Sequence, residues 1–214
     1  MRTWAHFVEH PLPRQNDQVA QATRIFVAIA RQAGAGGSEI AGLVGRRLGW
    51  EVYDQNLRDL IAERFHEPRL VLDFVDETRS NWVYDVLGTW GDNQIVPQEK
   101  FVLHLKRIVA TAARDGKSVF VGRGAQFLLP RPRVLAVWIT APLKFRVERI
   151  MVEKRKSEGD ARQFIRDADE GRREFVKRYF HRDIHDPLLY DLVINVQYLG
   201  TAQAVEQIVA ALAL

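Results

Sequence analysis

The fold is decided by the stretch from Ile25 to Gly49, which reads IFVAIARQAGAGGSEIAGLVGRRLG. Its first five residues are apolar and have the length and composition of a buried strand. A glycine-rich loop follows, with Ser38 as the predicted N-cap of a helix. Apolar residues then recur at helical spacing until Gly49, which should end the helix. The predicted order is therefore strand, glycine loop, helix.

The glycine loop has the composition of a phosphate cradle. Backbone N–H groups of such a loop, with the positive end of the following helix dipole, bind phosphate oxygens, and glycines let the ligand approach closely. Set against the pattern G-x-x-x-x-G-K-[ST], Gly36 and Ser38 match. Arg31 stands where the first glycine belongs, and Gly37 stands where the lysine belongs. The loop indicates a nucleotide ligand, while a tight turn without a ligand remains the alternative for this stretch alone.

The composition is that of a globular protein suited to an anionic ligand. The chain has 214 residues, 47% of them hydrophobic and 27% charged, so that one domain with insertions is expected. A net charge of +4 suits a nucleotide but is too mild to argue for nucleic acid. The absence of cysteine excludes disulfides and favours a cytoplasmic setting. No apolar run approaches the roughly 20 residues of a membrane span, so we expect no membrane partner.

Strands and helices alternate along the rest of the chain. Further strands are predicted at 50–54, 118–121, 134–139 and 191–195, with helices at 101–113, from 145 and at 202–214. This alternation predicts an α/β fold with a parallel sheet and helices on both faces. Ligands of such sheets bind at the carboxyl ends of the strands. The turn from Gly122 to Gly124, with Arg123 at its centre, should lie at one of these ends.

The segment from Glu153 to Arg182 is rich in cations with acidic residues between them. This pattern is typical of a solvated, salt-bridged pair of helices. Within a phosphate-binding fold, the same segment is a candidate arginine lid. Both interpretations remain open at this stage.

Three segments together resemble the cytidylate kinase-like family of P-loop kinases. They are Ile29 to Ala41 (IARQAGAGGSEIA), Val121 to Ala125 (VGRGA) and Tyr190 to Asn195 (YDLVIN). The strand ending WITAP, with Arg146 beyond it, and the run RDADEGRR from Arg166 are similar to the strand, helix and lid of nucleoside monophosphate kinases. The likeness covers nearly everything after residue 24. It implies a three-layer P-loop NTPase fold with a helical NMP-binding insertion and an arginine-rich lid.

The expected organisation follows this family. We expect an N-terminal extension over residues 1–23 and a kinase-like domain over residues 24–214, with the insertion at about 54–100 and the lid at about 153–183. The resemblance implies Mg²⁺-dependent transfer of the ATP γ-phosphoryl group to a small phosphate-bearing acceptor, such as the nucleoside monophosphates CMP or dCMP. A non-catalytic nucleotide-binding or regulatory module, and a P-loop kinase for a non-nucleotide small molecule, are the alternatives. The sequence leaves open whether the chain forms a homodimer.

The resemblance also implies roles for individual residues. The ATP phosphates would be bound by the loop residues Gly34, Ala35, Gly36, Gly37 and Ser38, and the Ser38 hydroxyl would be a Mg²⁺ ligand. Arg31 would supply the charge that the lysine gives, and Arg166 and Arg172 would act catalytically from the lid. Asp54 and Arg123 would bind the acceptor, although an ion pair with a surface carboxylate is the alternative for Arg123.

Two further departures from the family pattern concern the acceptor. Cytidylate kinases carry Gly-Arg-Asp where this chain has Gly122-Arg123-Gly124, so an acidic group expected to contact cytosine is missing. Asp54 is also not followed by the Ser-Gly pair of those enzymes. The sequence therefore supports phosphate binding better than it supports the identity of the base.

Overall fold

The computed structural model describes residues 23–54, 106, 109–114 and 116–212. The predicted N-terminal extension up to residue 22, the predicted insertion beyond Asp54 and most of the helix predicted at 101–113 lie outside the described residues. Residues 109–112 are helical, as expected for the end of that helix.

The described elements alternate as the sequence predicts. The strands are β1 (Phe26–Arg31), β2 (Glu51–Tyr53), β3 (Ser118–Val121), β4 (Val134–Thr140) and β5 (Leu192–Asn195). The helices, numbered over the described residues only, are α1 (Gly37–Leu48), α2 (Ala125–Leu128), α3 (Leu143–Lys154), α4 (Glu158–Phe180) and α5 (Val196–Leu212). Short 3₁₀ helices at Arg131–Arg133 and Pro187–Leu189 precede β4 and β5.

The five strands form one sheet in the order β2-β3-β1-β4-β5, and every pair of neighbours is parallel. The central strand β1 is buried from Phe26 to Ala30, as continuous apolar strands in covered parallel sheets are. Its register pairs Val27 with Val119 of β3 and with Leu135 of β4. The predicted three-layer α/β fold with a central parallel sheet is therefore confirmed.

Alternate residues of the strands build two separate cores. On one face, Val27 and Ile29 belong to the cluster that includes Ile40 of α1 and Ile208 of α5. On the other face, the cluster around Phe26, Ala28 and Phe120 includes Phe175 and Val176 of α4. The period of two along each strand thus places helices on both sides of the sheet.

Three helix boundaries differ from the predictions. The prediction that Ser38 is the N-cap of α1 is wrong, because Gly36, at a φ of +78°, turns the chain directly into the helix. Gly49 ends the helix in the left-handed conformation, as predicted. The expected helix pair between 153 and 182 is instead the end of α3 followed by one 23-residue helix, α4, whose N-cap is Ser157. The last helix begins at Val196 and is interrupted at Gly200.

Over the part of the chain that the structure describes, no helix combines the length and the apolar character needed to cross a membrane.

Candidate functional site

The loop between β1 and α1 packs closely against α3. Gly34 and Gly36 both adopt the left-handed conformation, with φ of +77° and +78°. A Cβ atom at Gly34 would lie 2.6 Å from the carbonyl oxygen of Arg146 in α3, so any side chain there would displace the backbone of that helix. Ala35 is fully buried within the loop. The loop leads into the N-terminus of α1, whose first N–H groups have no partner within the helix, and this is the geometry of an anion cradle.

Arg31 is the last residue of β1, and its side chain packs against Gly37. It occupies the space that a side chain at position 37 would need. Its Cβ and Cγ atoms are 2.6 and 2.8 Å from the position of a Cβ atom added to Gly37. The Arg31 side chain is 13% exposed, and its Nη2 atom lies 3.8 Å from Oδ1 of Asp54, just after β2. The structure thus brings together three predicted site residues. A lysine at position 37 would not fit beside Arg31 in this arrangement.

Arg149 of α3 contacts the same loop, although no role was predicted for this residue. Its Nη1 and Cζ atoms lie 2.5 and 2.9 Å from the position of a Cβ atom added to Gly36, so the guanidinium covers this glycine. It also pairs with Glu39 in the first turn of α1 and with Glu153 of α3. Burial opposes the charge of Arg149, but the hydrogen bonds to Glu39 and Glu153 raise its pKa above the ordinary value. The sequence feature from which this contact could have been predicted is the position of Arg149 on the helix that follows β4.

A second network holds Ala33, the residue before Gly34. The N–H group of Ala33 donates to Oδ1 of Asp169 in α4 over 2.7 Å. The carbonyl oxygen of Ala33 accepts from Nη1 of Arg146 over 3.2 Å, and this nitrogen also lies 2.6 Å from Oδ2 of Asp169. The Nε atom of Arg146 donates to the carbonyl oxygen of Ala141 over 2.9 Å. Both polar groups of Ala33 are therefore bonded to an ion pair between two helices, a contact that no sequence pattern indicated.

The two predicted lid arginines have different surroundings on α4. Nη1 of Arg172 lies 3.3 Å from Oδ1 of Asp169, which joins Arg172 to the network around Ala33. Arg166 is exposed and donates to the side-chain oxygen of Gln163. The structure therefore places Arg172 beside the loop network and Arg166 on the solvent-facing side of the helix.

The turn after β3 consists of three left-handed residues. Gly122, Arg123 and Gly124 have φ of +74°, +55° and +63°, which is an uncommon conformation for an arginine. The Gly122 N–H donates to the carbonyl oxygen of Ile29 in β1 over 2.9 Å, so the turn lies beside the strand that carries the loop. Backbone strain of this kind in a non-glycine residue is concentrated at functional sites. Arg123 therefore lies in a strained turn beside the strand that carries the loop.

Phe180, the last residue of α4, covers Gly124. A Cβ atom at Gly124 would lie 2.6 Å from Cζ of Phe180, so an acidic side chain would not fit there unless the ring moved. The ring packs on Phe127, with centroids 4.9 Å apart, and on Phe175, with centroids 6.0 Å apart. An aromatic ring thus covers the glycine that stands in place of the missing acidic group.

A basic cavity of about 540 Å³ lies next to the C-terminal half of α4. Its lining consists of three permanent cations, one histidine and one carboxylate: Arg173, Lys177, Arg182, His181 and Asp183. Cations predominate in this lining, so the cavity suits an anionic group.

The donors near the loop fit a magnesium ion. Ser38 is exposed in the first turn of α1, and its hydroxyl is not used as the helix cap. Asp54 contributes a carboxylate close to Arg31. Hydroxyl, carboxylate and phosphate oxygens are the ligands that Mg²⁺ prefers, and this ion usually binds to one or two protein groups together with the phosphates. Within the described ranges, no group of three or more His, Cys, Asp or Glu side chains could hold a metal by itself.

The fold and the loop together define a class of protein. A parallel sheet in the order β2-β3-β1-β4-β5, with a glycine loop between the central strand and a helix, is the fold of the P-loop kinases. Within this class, the chain belongs to the cytidylate kinase-like family, whose sequence model matches residues 26–198.

Comparison with individual proteins supports the fold. A cytidylate kinase from Pyrobaculum islandicum is 27% identical over 93 residues, which are 44% of this chain and 50% of that relative, so the match spans about half of its length. An uncharacterised protein from Eubacterium ventriosum superposes with a TM-score of 0.66 at 18% identity, covering 89% of this chain and 99% of that one. A shikimate kinase from Bacteroides thetaiotaomicron gives a TM-score of 0.50 at 17% identity, with the same coverage. At these identities, the structural likeness establishes the fold alone.

Proposed function

We propose that the protein is a phosphotransferase that moves the γ-phosphoryl group of ATP to a nucleoside monophosphate such as CMP or dCMP. The observation that carries this proposal is the packing of Arg31 on Gly37, 2.6 Å from the position of a Cβ atom. The loop has lost its lysine, but the arginine stem fills the space that the lysine would need. An arginine in this place is the substitute expected if the loop still requires a cation.

The geometry suggests how the transfer would be catalysed. Phosphoryl transfer needs the donor and acceptor to be aligned and the charge on the transferred group to be neutralised. In this proposal, the N–H groups from Gly34 to Ser38 bind the ATP phosphates, and the Arg31 guanidinium neutralises charge on the transferred group. The Ser38 hydroxyl would help to hold Mg²⁺, which would reduce the charge on the phosphates. Arg172 acts from the edge of the Ala33 network, and Arg166 would reach the phosphates only if the N-terminal part of α4 approached the loop.

The acceptor would bind between the β3 turn and α4. Arg123 lies in the strained turn after β3, and Asp54 lies near Arg31, so both predicted acceptor residues remain part of the proposal. The cation-rich lining of the cavity beside α4 would suit an acceptor phosphate. The curated relative from Pyrobaculum islandicum is named a cytidylate kinase, which favours a cytidine nucleotide.

One observation favours a different acceptor. The Phe180 ring fills the space beside Gly124, the residue that stands where cytidylate kinases carry an acidic group. A kinase for a non-nucleotide small molecule would need no such carboxylate, and shikimate kinase shares the fold. This is the second candidate function.

Acceptor-dependent formation of ADP tests these proposals. The purified chain is incubated with ATP and Mg²⁺ and with CMP, dCMP, UMP, AMP, GMP or shikimate in separate reactions. We expect turnover above the ATP-only rate with CMP or dCMP, and loss of this turnover with EDTA. Turnover with shikimate alone would support the second candidate. ATP binding without transfer to any acceptor would support a non-catalytic nucleotide-binding module instead.

A further inference from the structure

We propose that Asp169 is a positioning residue that holds the phosphate loop in its nucleotide-binding shape and couples it to α4. This inference rests on the proposed function, because it assigns a role within the same site. Asp169 joins Ala33 of the loop, Arg146 of α3 and Arg172 of α4 through three contacts of 2.7, 2.6 and 3.3 Å.

The position of Ala33 makes these contacts important for the shape of the loop. Ala33 is 5% exposed and directly precedes Gly34, whose left-handed conformation begins the turn. Asp169 bonds its N–H group and Arg146 bonds its carbonyl group, so both peptide planes around Ala33 are fixed from outside the loop. Buried backbone groups need such partners, and here the partners are side chains of two other helices. The path of the loop is therefore set by α3 and α4 as well as by its own glycines.

The charges in this network make Asp169 difficult to replace. Arg146 is 7% exposed, and its guanidinium depends on the Asp169 carboxylate for compensation. Asp169 also bonds Arg172, the predicted lid arginine nearest to the loop. Movement of α4 away from the loop would separate Asp169 from Ala33 and leave a buried cation without its partner. The loop and the central part of α4 should therefore order and move together.

The chain offers a matched control for the test. Asp191, at the start of β5, also accepts hydrogen bonds from one backbone N–H, that of Ala136, and from one arginine, Arg131. These contacts lie at the amino ends of the parallel strands β4 and β5, at the end of the sheet opposite the phosphate loop. Replacing Asp191 with Asn thus removes the same kind of carboxylate without touching the candidate site.

The experiment compares Asp169→Asn and Asp191→Asn with the full-length chain. ADP affinity is measured by calorimetry without any acceptor, the thermal midpoint is measured for each protein, and kcat and KM for ATP are measured where turnover exists. Both variants should lose thermal stability. Only Asp169→Asn should also weaken ADP binding, by about tenfold, the effect expected for a lost hydrogen bond to a charged group. Asp169→Glu, which keeps the charge but displaces it, should recover stability more than affinity.

Several results would overturn the proposal. A merely structural role predicts that Asp169→Asn loses stability like Asp191→Asn but binds ADP with wild-type affinity. If Asp169→Asn does not fold, hydrogen exchange of the wild type decides: ADP should slow exchange both in the loop and around residues 165–172 of α4. Slowing in the loop alone contradicts the coupling. ADP binding without transfer to any acceptor would reject the proposed kinase function while leaving the role of Asp169 testable, and a wild type that does not bind ADP would reject both.

Discussion

At the scale of single residues, the proposed function depends on whether Arg31 replaces the missing lysine of the phosphate loop. Arg31→Ala should lower kcat by roughly tenfold to a hundredfold while weakening ATP binding less, because stabilisation specific to the transition state appears in the rate. The range corresponds to about 1.5–3 kcal/mol for a charge-assisted hydrogen bond. Arg31→Lys should restore only part of the rate, since the bidentate geometry is lost. Steady-state kinetics together with ATP titrations would separate the two effects.

Intact phosphoryl transfer by Arg31→Ala would contradict this assignment. The charge would then have to come from α4, and Arg172, beside the loop network, and Arg166 would become the leading candidates. Arg47→Ala is a suitable control, because Arg47 is a half-exposed arginine at the far end of α1 that pairs with Glu206.

The contact between Arg31 and Gly37 predicts a reciprocal effect. Gly37→Lys alone should destabilise the fold by about 1–3 kcal/mol, because its side chain would overlap the Arg31 stem. The double variant Arg31→Gly with Gly37→Lys restores the G-x-x-x-x-G-K-S pattern and should recover much of the lost stability and turnover. Urea unfolding and kcat would be measured for both single variants and the double variant. If the losses of stability and turnover in the two single variants add up in the double variant, a lysine at position 37 does not replace Arg31.

Arg123 is expected to act on the acceptor rather than on ATP. The turn that carries it follows β3, whereas the phosphate loop follows β1. Arg123→Ala should therefore raise KM for the acceptor, with a loss of about 1.5–3 kcal/mol in binding, and leave ATP affinity nearly unchanged. Isothermal titration with each ligand would measure this difference. Unchanged acceptor binding in a protein that still binds ATP would support the ion-pair alternative.

The sequence singled out the positions of the loop but not the contacts that they make. The glycine pattern identified the loop, and the departures at Arg31 and Gly37 identified the positions that pack together. The network of Asp169, Arg146 and Ala33 was not predicted, because it joins residues 136 positions apart through side chains that look like ordinary surface charges. The role of Arg149 was missed for the same reason.

At the scale of secondary-structure elements, a side chain at Gly124 in the β3 turn would have two energetic costs. One is the clash with Phe180 at the end of α4, and the other is the left-handed backbone, and the two costs can be measured separately. Gly124 and Gly49 have similar φ of +63° and +68°, but Gly49 has no atoms within 4 Å of an added Cβ. Gly49→Ala should cost about 1–2 kcal/mol for the left-handed conformation alone. Gly124→Ala should cost about 1–3 kcal/mol more, because Phe180 must move.

Urea unfolding of four proteins would measure this difference: the two alanine variants, Phe180→Ala and Gly124→Ala combined with Phe180→Ala. The excess cost at Gly124 should shrink when the ring is removed. Equal costs at the two glycines would show that Phe180 moves aside freely, and a carboxylate at position 124 would then be sterically acceptable.

At the scale of the whole molecule, Asp191 ties the starts of three strands together. It bonds Arg131 and the N–H group of Ala136, and lies 3.9 Å from Arg24 before β1. Burial opposes its ionisation, but the hydrogen bonds from Arg131 and Ala136 and the nearby positive charges outweigh burial and hold its pKa below the ordinary value.

This lowered pKa predicts a contribution to acid stability. A carboxyl group whose pKa is lower in the folded state stabilises the fold above its unfolded pKa of about 3.9, and the contribution disappears as the pH falls through the folded pKa. The difference in unfolding free energy between wild type and Asp191→Asn should therefore be greatest near neutral pH and shrink in acid. Arg131→Met should reduce the same pH dependence. A difference that stays constant from neutral to acid pH would contradict the assignment.

The sheet could be predicted because each of its strands can be recognised from a short, continuous segment of the sequence. Apolar runs such as Val134 to Ile139 are long enough to identify a strand, and alternation with helices requires parallel pairing. Helix ends were harder to predict, because a capping serine and a left-handed glycine compete at the start of α1 and the glycine prevails. The predicted insertion and the division into domains remain predictions, since they involve residues outside the described ranges.

The carboxylates of Glu39 and Glu153 pair with Arg149, whose guanidinium covers Gly36, and so belong to the same edge of the loop. Glu39 and Glu153 bring two negative charges against the single positive charge of the guanidinium, so this edge of the loop should repel a free polyanion before contact. A divalent cation already bound to the phosphates cancels much of that repulsion. The protein should consequently bind metal-bound nucleotide faster than metal-free nucleotide. The two forms should differ more in their association rate constants than in their dissociation rate constants.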